Sequence, residues 1–573
     1  METKTHINAL YRFSSYLKPH WKKIGLSGLL MLLTVIMQIP RPFIIQYVID
    51  EVVAVGSYRL LTMAGLVIIG VLIVGEVAVS VQSYIFILVR TKVMKTIRLA
   101  LFAHIQLLPL TYLGKKETGK LLSRLTGDVT ATHGLLADTI IAFVQNIFIF
   151  IAGIACTFYI HPGLSGICLL LLSLYVVSLK IFSSRMRTMS YDVRQRYELV
   201  HKDLQEMLLA IPTVRLFSAE RYSIARLCKS LRHVMSGEIK HNMIATLATV
   251  SSTTISSLGP IALIWYGCAE IIRGDLTIGG LMAFNSFVSY IFGPASNLFS
   301  LNVSIQRSLA ACMRLFEILD ITTERSGIEP ITIRHGKLEF DKVTFKYDDT
   351  TVLKQVSFSV NPGQVCGIVG PSGAGKTTLG MLVPRLFEVD GGRILIDGKD
   401  IRDVRLDQLR KEIGIISQDT FLLSDTLSEN VALGRPSAHR KDIEYACYLA
   451  GCDFIRQLPD GYQTRVGERG ERLSGGQRQR ISIARTILAD PRIVIFDEAT
   501  ANLDPELEQR ILNMLRSWMT KRTTLIITHR LSTVKNADQI IVLEGGGIVE
   551  QGEHEQLWKD NGVYRRLWAN CDI

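Results

Sequence analysis

Cysteine is sparse and unpatterned in this chain. Nine occur in 573 residues, none forms a CxxC pair, and none has a histidine at metal-ligand spacing. That excludes a disulfide framework and a Cys/His metal cluster, and it leaves the thiols as small buried residues of a reducing compartment. The first 20 residues are polar and mixed, without a short apolar core or a small-residue cleavage site, so no signal peptide is predicted. Acidic residues fall short of basic ones, 52 against 64, for a net charge of +12. A basic chain is compatible with nucleic acid. Here the cations stand between long apolar runs, where cytoplasmic loops of membrane proteins need them. Nucleic acid is therefore not expected as a partner.

Apolar residues are what the chain has in excess: 48% are hydrophobic and the mean hydropathy is +0.26. At this length two or more domains are expected. The excess is concentrated before Asp320, and the part after Lys337 reads as a soluble α/β domain. Six apolar runs, residues 24–48, 60–89, 135–160, 164–182, 243–272 and 278–301, reach or approach the roughly 20 residues that cross a bilayer. Residues 7–17 pattern as an amphipathic helix on the inner membrane surface. Residues 90–134 and 183–240 are rich in Lys and Arg, whereas the alternate short loops hold only Arg59 and Arg273. The positive-inside rule puts the long loops, both termini and the soluble part in the cytoplasm, with membrane lipids around the spans. The long loops are themselves helical in pattern, as at 191–219, and read as helices continuing out of the membrane.

Some polar residues fall inside these runs. Arg41 lies between Pro40 and Pro42 late in the first, and Glu76 lies in the second. Each marks either a pathway through protein or a group reaching toward headgroups. Gln38, Gln46, Gln82, Gln145, Asn146, Thr253, Ser257, Asn285, Ser289 and Asn297 point to a partly polar interior or to interhelical hydrogen bonds.

The soluble part carries chemistry. An apolar strand, Val365 to Val369, leads into Gly370-Pro371-Ser372-Gly373-Ala374-Gly375-Lys376-Thr377, and Thr378 to Leu386 continues as a helix. This is a phosphate loop: glycines let backbone N–H groups approach phosphates, and the helix start adds its dipole. Lys376 is expected to reach the β- and γ-phosphates of ATP, and the Thr377 hydroxyl to hold Mg²⁺. A second apolar strand, Arg492 to Phe496, ends at Asp497-Glu498. The first carboxylate is placed for Mg²⁺ and the second for the attacking water. A third, Thr524 to Thr528, ends at His529, a candidate sensor and charge stabiliser. Leu473-Ser474-Gly475-Gly476-Gln477 opens another helix, a second anion-binding helix start in one domain.

With those motifs in this order, residues 337–573 resemble an ATP-binding cassette (ABC) ATPase. The resemblance implies that Tyr347 stacks on adenine, that Gln418 is the catalytic-loop glutamine near Mg²⁺, and that Ser474, Gly476 and Gln477 close on ATP held by a partner. It makes Asp504 the D-loop aspartate, although Ala501-Asn502-Leu503-Asp504 stands where the family often has SALD. The membrane half is similar to type IV, B-family exporters at 108–128, 211–220 and 274–284. The implied architecture is a six-helix all-α transmembrane domain, 1–320, a linker, 321–336, and an α/β P-loop ATPase domain, 337–573. One of each domain makes a half-transporter. Its implied partner is a second copy of itself, at a bacterial cytoplasmic membrane, and its implied activity is ATP-driven export by alternating access. An importer on the same scaffold and a heterodimer remain as alternatives, and an ATP-gated channel is disfavoured because Glu498 and His529 are both present. No peptidase-like domain precedes the first span, so export coupled to leader cleavage is not expected. The cargo class stays open among peptide, lipid and amphipathic small molecule.

Overall fold

The computed structural model describes residues 2–115, 118–132, 137–499 and 505–569. The chain forms two units: Met1–Gln106 with Thr118–Ile321, and Leu107–Glu117 with Thr322–Ile573.

The first unit is helical among its described residues. Its main helices are α1 (Glu2–Leu17), α2 (Trp21–Gln38), α3 (Pro40–Tyr47), α4 (Tyr58–Gln106), α5 (Ala137–Ile160), α6 (Pro162–Leu209), α7 (Glu220–Arg273) and α8 (Ile278–Leu319). Six apolar stretches are long enough to cross a membrane, and they fall where the six runs predict. The third run began at 135, and its first residues lie outside the described ones. At 54 residues α7 is about 80 Å long, far beyond a hydrocarbon core of about 30 Å. Among the described residues the basic stretches 90–134 and 183–240 are mostly helix, as their periodicity predicts.

Side chains fix how these helices begin and meet. Thr277 caps α8 by accepting from the Gly280 N–H at 2.9 Å. Asp50 then accepts from the Thr277 hydroxyl at 2.6 Å and the Gly279 N–H at 2.8 Å. This ties the end of the first span to the start of the sixth. The approach is close enough to need glycine, because a Cβ on Gly279 would fall 2.6 Å from the Gln46 carbonyl oxygen. At the other end of α8, Arg314 grips the buried Asp128 with two hydrogen bonds, at 3.0 and 2.5 Å, and Arg124 adds a third at 2.5 Å. Arg12 of α1 pairs with Asp320 at 2.8 Å and lies over the Phe316 ring. The apolar core between spans is made by Leu164, Cys168 and Tyr175 of α6, Leu263 of α7, and Phe284, Ile291 and Phe292 of α8.

The second unit is α/β. An antiparallel sheet joins β1 (Leu338–Tyr347), β2 (Thr350–Val360), β4 (Gly391–Ile396) and β5 (Lys399–Asp400) in the order β2-β1-β4-β5. A six-stranded sheet joins β3 (Val365–Val369), β6 (Ile413–Ile416), β7 (Ile493–Asp497), β8 (Thr523–Ile527), β9 (Gln539–Glu544) and β10 (Gly547–Gly552) in the order β10-β9-β3-β8-β7-β6. All its pairings are parallel except the edge hairpin β9–β10. Alternate residues explain why β7 reads as continuously apolar. Ile493 and Ile495 enter one core while Val494 and Phe496 enter the other, so both faces are covered. The site helices α9 (Lys376–Leu382), α10 (Gly475–Ala489) and α11 (Pro505–Met519) belong to this unit.

Candidate active site

The carboxyl ends of β3, β7 and β8 lie side by side, because β8 pairs with both of the others. Ligands bind in parallel α/β sheets at that edge. Three segments singled out in the sequence therefore arrive together: the loop after Val369, the Asp497-Glu498 pair and His529.

The phosphate loop turns on two glycines. Gly370 has φ 155° and a Cβ there would sit 2.1 Å from the Leu543 carbonyl oxygen. Gly375 has φ 95° and forms the left-handed entry to α9. Ser372 and Gly373 are exposed on the loop, and Thr378 is buried on the first turn of the helix. Lys376 is buried, and its ammonium donates to the Gly370 and Pro371 carbonyls at 2.7 and 2.9 Å. Burial lowers its pKa, against the pull of Glu498 and Asp497. The Thr377 hydroxyl donates to an Asp497 carboxylate oxygen at 3.1 Å. Asp497 is buried, and that burial raises its pKa. Thr377 and Lys376 work in the opposite direction, and the neighbouring Glu498 adds to the rise.

Glu498 follows in a left-handed conformation, φ 49°. Its N–H donates to the Ile527 carbonyl at 2.9 Å, and its carboxylate lies 3.4 Å from His529 Nδ1. A residue that sequence reading missed supports this turn. Gln479 of α10 is buried and its amide donates to the Glu498 carbonyl at 3.3 Å. The available signal was a second glutamine two residues after the LSGGQ run, on the inward side of an amphipathic helix. A second missed group is Glu508 of α11. It accepts from Arg530 at 2.8 Å and from Thr533 at 2.9 Å, both just after His529 in the chain.

The other predicted residues stand apart from this cluster. Ser474 and Gln477 cap α10 reciprocally: the Gln477 N–H donates to the Ser474 hydroxyl at 3.2 Å, and the Ser474 N–H to the Gln477 side chain at 2.9 Å. Gly476 lies in the first turn. Gln418 is exposed and lines a cavity of about 620 Å³ with Phe421, Glu468, Arg469, Glu471 and Arg478. Among the described residues, no hydrogen bond joins Gln418 or Ser474 to the phosphate loop. Tyr347 is exposed, its ring held edge-on by Phe345 and Phe387 at 4.8 and 5.4 Å between centroids. Asp504 lies outside the described residues.

A phosphate loop facing a strand-end carboxylate pair, in one chain with six membrane-crossing helices, defines an ATPase coupled to transport. Comparison with known proteins agrees. The ABC transporter transmembrane region family matches residues 24–295, and the ABC transporter family matches residues 353–501. The chain belongs to the ABC transporter family, with membrane region and ATPase fused, and it hydrolyses ATP to drive transport. YgaD of Bacillus subtilis (strain 168), named as a multidrug export ATP-binding/permease protein, is 33% identical over 98% of this chain and 99% of its own. An ATP-dependent lipid A-core flippase of Syntrophus aciditrophicus (strain SB) is 33% identical over 99% of this chain and 95% of its own. The solved structure of a bacterial Atm1-family ABC exporter with ATP bound superposes with a TM-score of 0.83, at 29% identity, over 97% of this chain and 99% of that one.

Proposed function

We propose that the chain is one half of an exporter that acts as a homodimer in a bacterial cytoplasmic membrane, with the ATPase unit and both termini in the cytoplasm. The observation that carries the catalytic part is the cluster Lys376, Thr377, Asp497, Glu498 and His529 at one sheet edge. Gly370, Ser372, Gly373 and Gly375 form the phosphate cradle, and Thr378 completes the helix start beneath it. Lys376 exchanges its two backbone carbonyls for phosphate oxygens. The Asp497 carboxylate and Thr377 hydroxyl are the hard oxygen donors that Mg²⁺ takes, so the residues present fit that ion, with Gln418 as a further donor. When bound, Mg²⁺ neutralises charge on the phosphates. Glu498 orients and deprotonates the attacking water, and His529 stabilises the charge that develops. Tyr347 is the adenine platform. Ser474, Gly476 and Gln477 close over nucleotide held by the partner copy, with Asp504 at the same seam.

Residues 1–320 act as the membrane part, 321–336 as the link, and 337–573 as the engine. The cargo is amphipathic: a lipid, a peptide or a small molecule. The names of the relatives, multidrug export and lipid A-core flippase, support that class. So do the exposed hydroxyls along α7 and α8, among them Thr253, Ser257 and Ser289, because polar groups within a span face water or protein.

The test is ATP hydrolysis by the full chain in proteoliposomes, with lipid, peptide and drug panels, against Glu498→Gln. The variant is expected to bind ATP while turning over about a hundredfold more slowly. Wild-type turnover in the variant would remove Glu498 from the mechanism. A wild type silent alone and active only with another half-transporter would replace the homodimer.

A further inference from the structure

Arg41, part-buried in the membrane unit, has no hydrogen-bond or ion-pair partner among the described residues. Arg41 is the second residue of α3, between Pro40 and Pro42. Its Nε is closed off from solvent and has no hydrogen-bond partner, and no carboxylate among the described residues pairs with it. It lies nine positions before Asp50, about 14 Å of helix rise. A snorkelling arginine would reach for headgroups. This one turns against α4 instead. A Cβ on the buried Gly75 would lie 3.1 Å from Arg41 Nη2. Gly75 is 17 residues into α4, about 26 Å from its start at Tyr58, within the apolar run 60–89. Tyr290 of α8 stands beside it, but its hydroxyl is engaged, donating to the Gln38 carbonyl at 3.1 Å. Glu76, next to Gly75, is exposed and does not pair with it.

An uncompensated guanidinium at membrane depth is costly, and such residues mark pathways or ligand sites. Its planar donors match phosphate and carboxylate oxygens. We propose that Arg41, given room by Gly75, is an anion-recognition point of the membrane unit and takes the phosphate or carboxylate head of an amphipathic molecule. This rests on the exporter reading and narrows its cargo to anionic amphipaths. A transported molecule and a resident phospholipid share the chemistry.

The test uses the full chain in phosphatidylcholine vesicles, with ATPase read against added dioctanoyl phosphatidate and against dioctanoylglycerol, which lacks the phosphate. Wild type is expected to respond to phosphatidate at lower concentration than to the diglyceride. Arg41→Ala should raise the half-saturating phosphatidate concentration by about tenfold or more, leaving basal activity and the diglyceride response unchanged. Arg41→Lys should lose less. Gly75→Leu should reproduce the Arg41→Ala loss with the charge retained, and a thermal melt of each variant separates this from unfolding. ATP-dependent delivery of labelled phosphatidate into the lumen identifies cargo, and a response without delivery identifies a bound lipid. Both uphold the site. The same phosphatidate response in Arg41→Ala, or no preference for phosphatidate in the wild type, overturns it. Continued basal hydrolysis and a diglyceride response in either case leave the exporter reading intact.

Discussion

Glu498 holds a backbone conformation that costs a non-glycine residue about 1–3 kcal/mol, so its surroundings must impose it. Two hydrogen bonds do so, its own N–H to Ile527 and the Gln479 amide to its carbonyl. Gln479→Ala is therefore expected to slow turnover by about tenfold to a hundredfold through misplacement of Glu498, with ATP affinity nearly unchanged. Steady-state kinetics beside nucleotide binding would show it, and an unchanged kcat would leave Gln479 a packing residue. Asp128 offers a second test on a single side chain. Burial raises its pKa, but hydrogen bonds from Arg314 and then Arg124 outweigh this and hold it below its ordinary value of 3.8. The unfolded chain binds that proton more readily, so stability from this cluster is complete above 3.8. It drains as the pH falls through the lower folded value. Asp128→Asn should lower stability at pH 7 by about 1 kcal/mol, since it removes the charge that two part-exposed arginines bond to. The gap to wild type should narrow in melts run at progressively lower pH. A gap that is the same at all pH values would deny the carboxylate its role.

Helix starts carry much of the organisation at the next scale. The Asp50 carboxylate serves the first turn of α8 from a different span, so one substitution loosens two elements. Asp50→Ala is expected to cost about 2 kcal/mol, seen as a lower melting temperature in detergent, while nucleotide binding to the second unit is unaffected. A melt identical to wild type would mean the contact is incidental. The α10 start differs, because its cap is local. The reciprocal cap between the Ser474 and Gln477 side chains came only from the structure, while the sequence alone was enough to read that a helix starts there. The same holds for the strand-loop-helix around Lys376 and for six apolar runs, whose periodicity depends on near neighbours. The cross-links at Asp50, Asp128 and Gln479 were not legible, because each joins residues far apart in the chain whose types are unremarkable alone. Arg41 was visible as an oddity, but only the packing of Gly75 against it shows which way it turns.

For the molecule as a whole, the separation of the Ser474 helix start from the Lys376 loop within one chain bears on how copies combine. In a homodimer that pairs one copy's loop with the other's helix start, Lys376→Ala and Ser474→Arg each spoil both sites. A mixed dimer keeps one intact site and loses the other doubly. Mixing the two inactive variants before reconstitution should therefore restore hydrolysis, up to about a quarter of wild type if dimers form at random and sites act independently. No recovery on mixing would count against shared sites. The path of the chain between its two units has a further consequence, one of timing. The described part of Leu107–Glu117, residues 107–115, belongs to the second unit although it is made long before the rest of it. The Leu107 carbonyl accepts from the Glu324 N–H at 2.9 Å, and Pro109 and Thr111 line a cavity of about 330 Å³ with Phe345, Arg385 and Phe387. At ribosomal speed the partners of this segment emerge roughly 10 to 40 s later. Until then a stretch already threaded between two spans waits unfilled. The contacts of the second unit are therefore completed by a segment from outside its contiguous residues, and a nascent chain stalled before Glu324 would present that segment to chaperones and proteases.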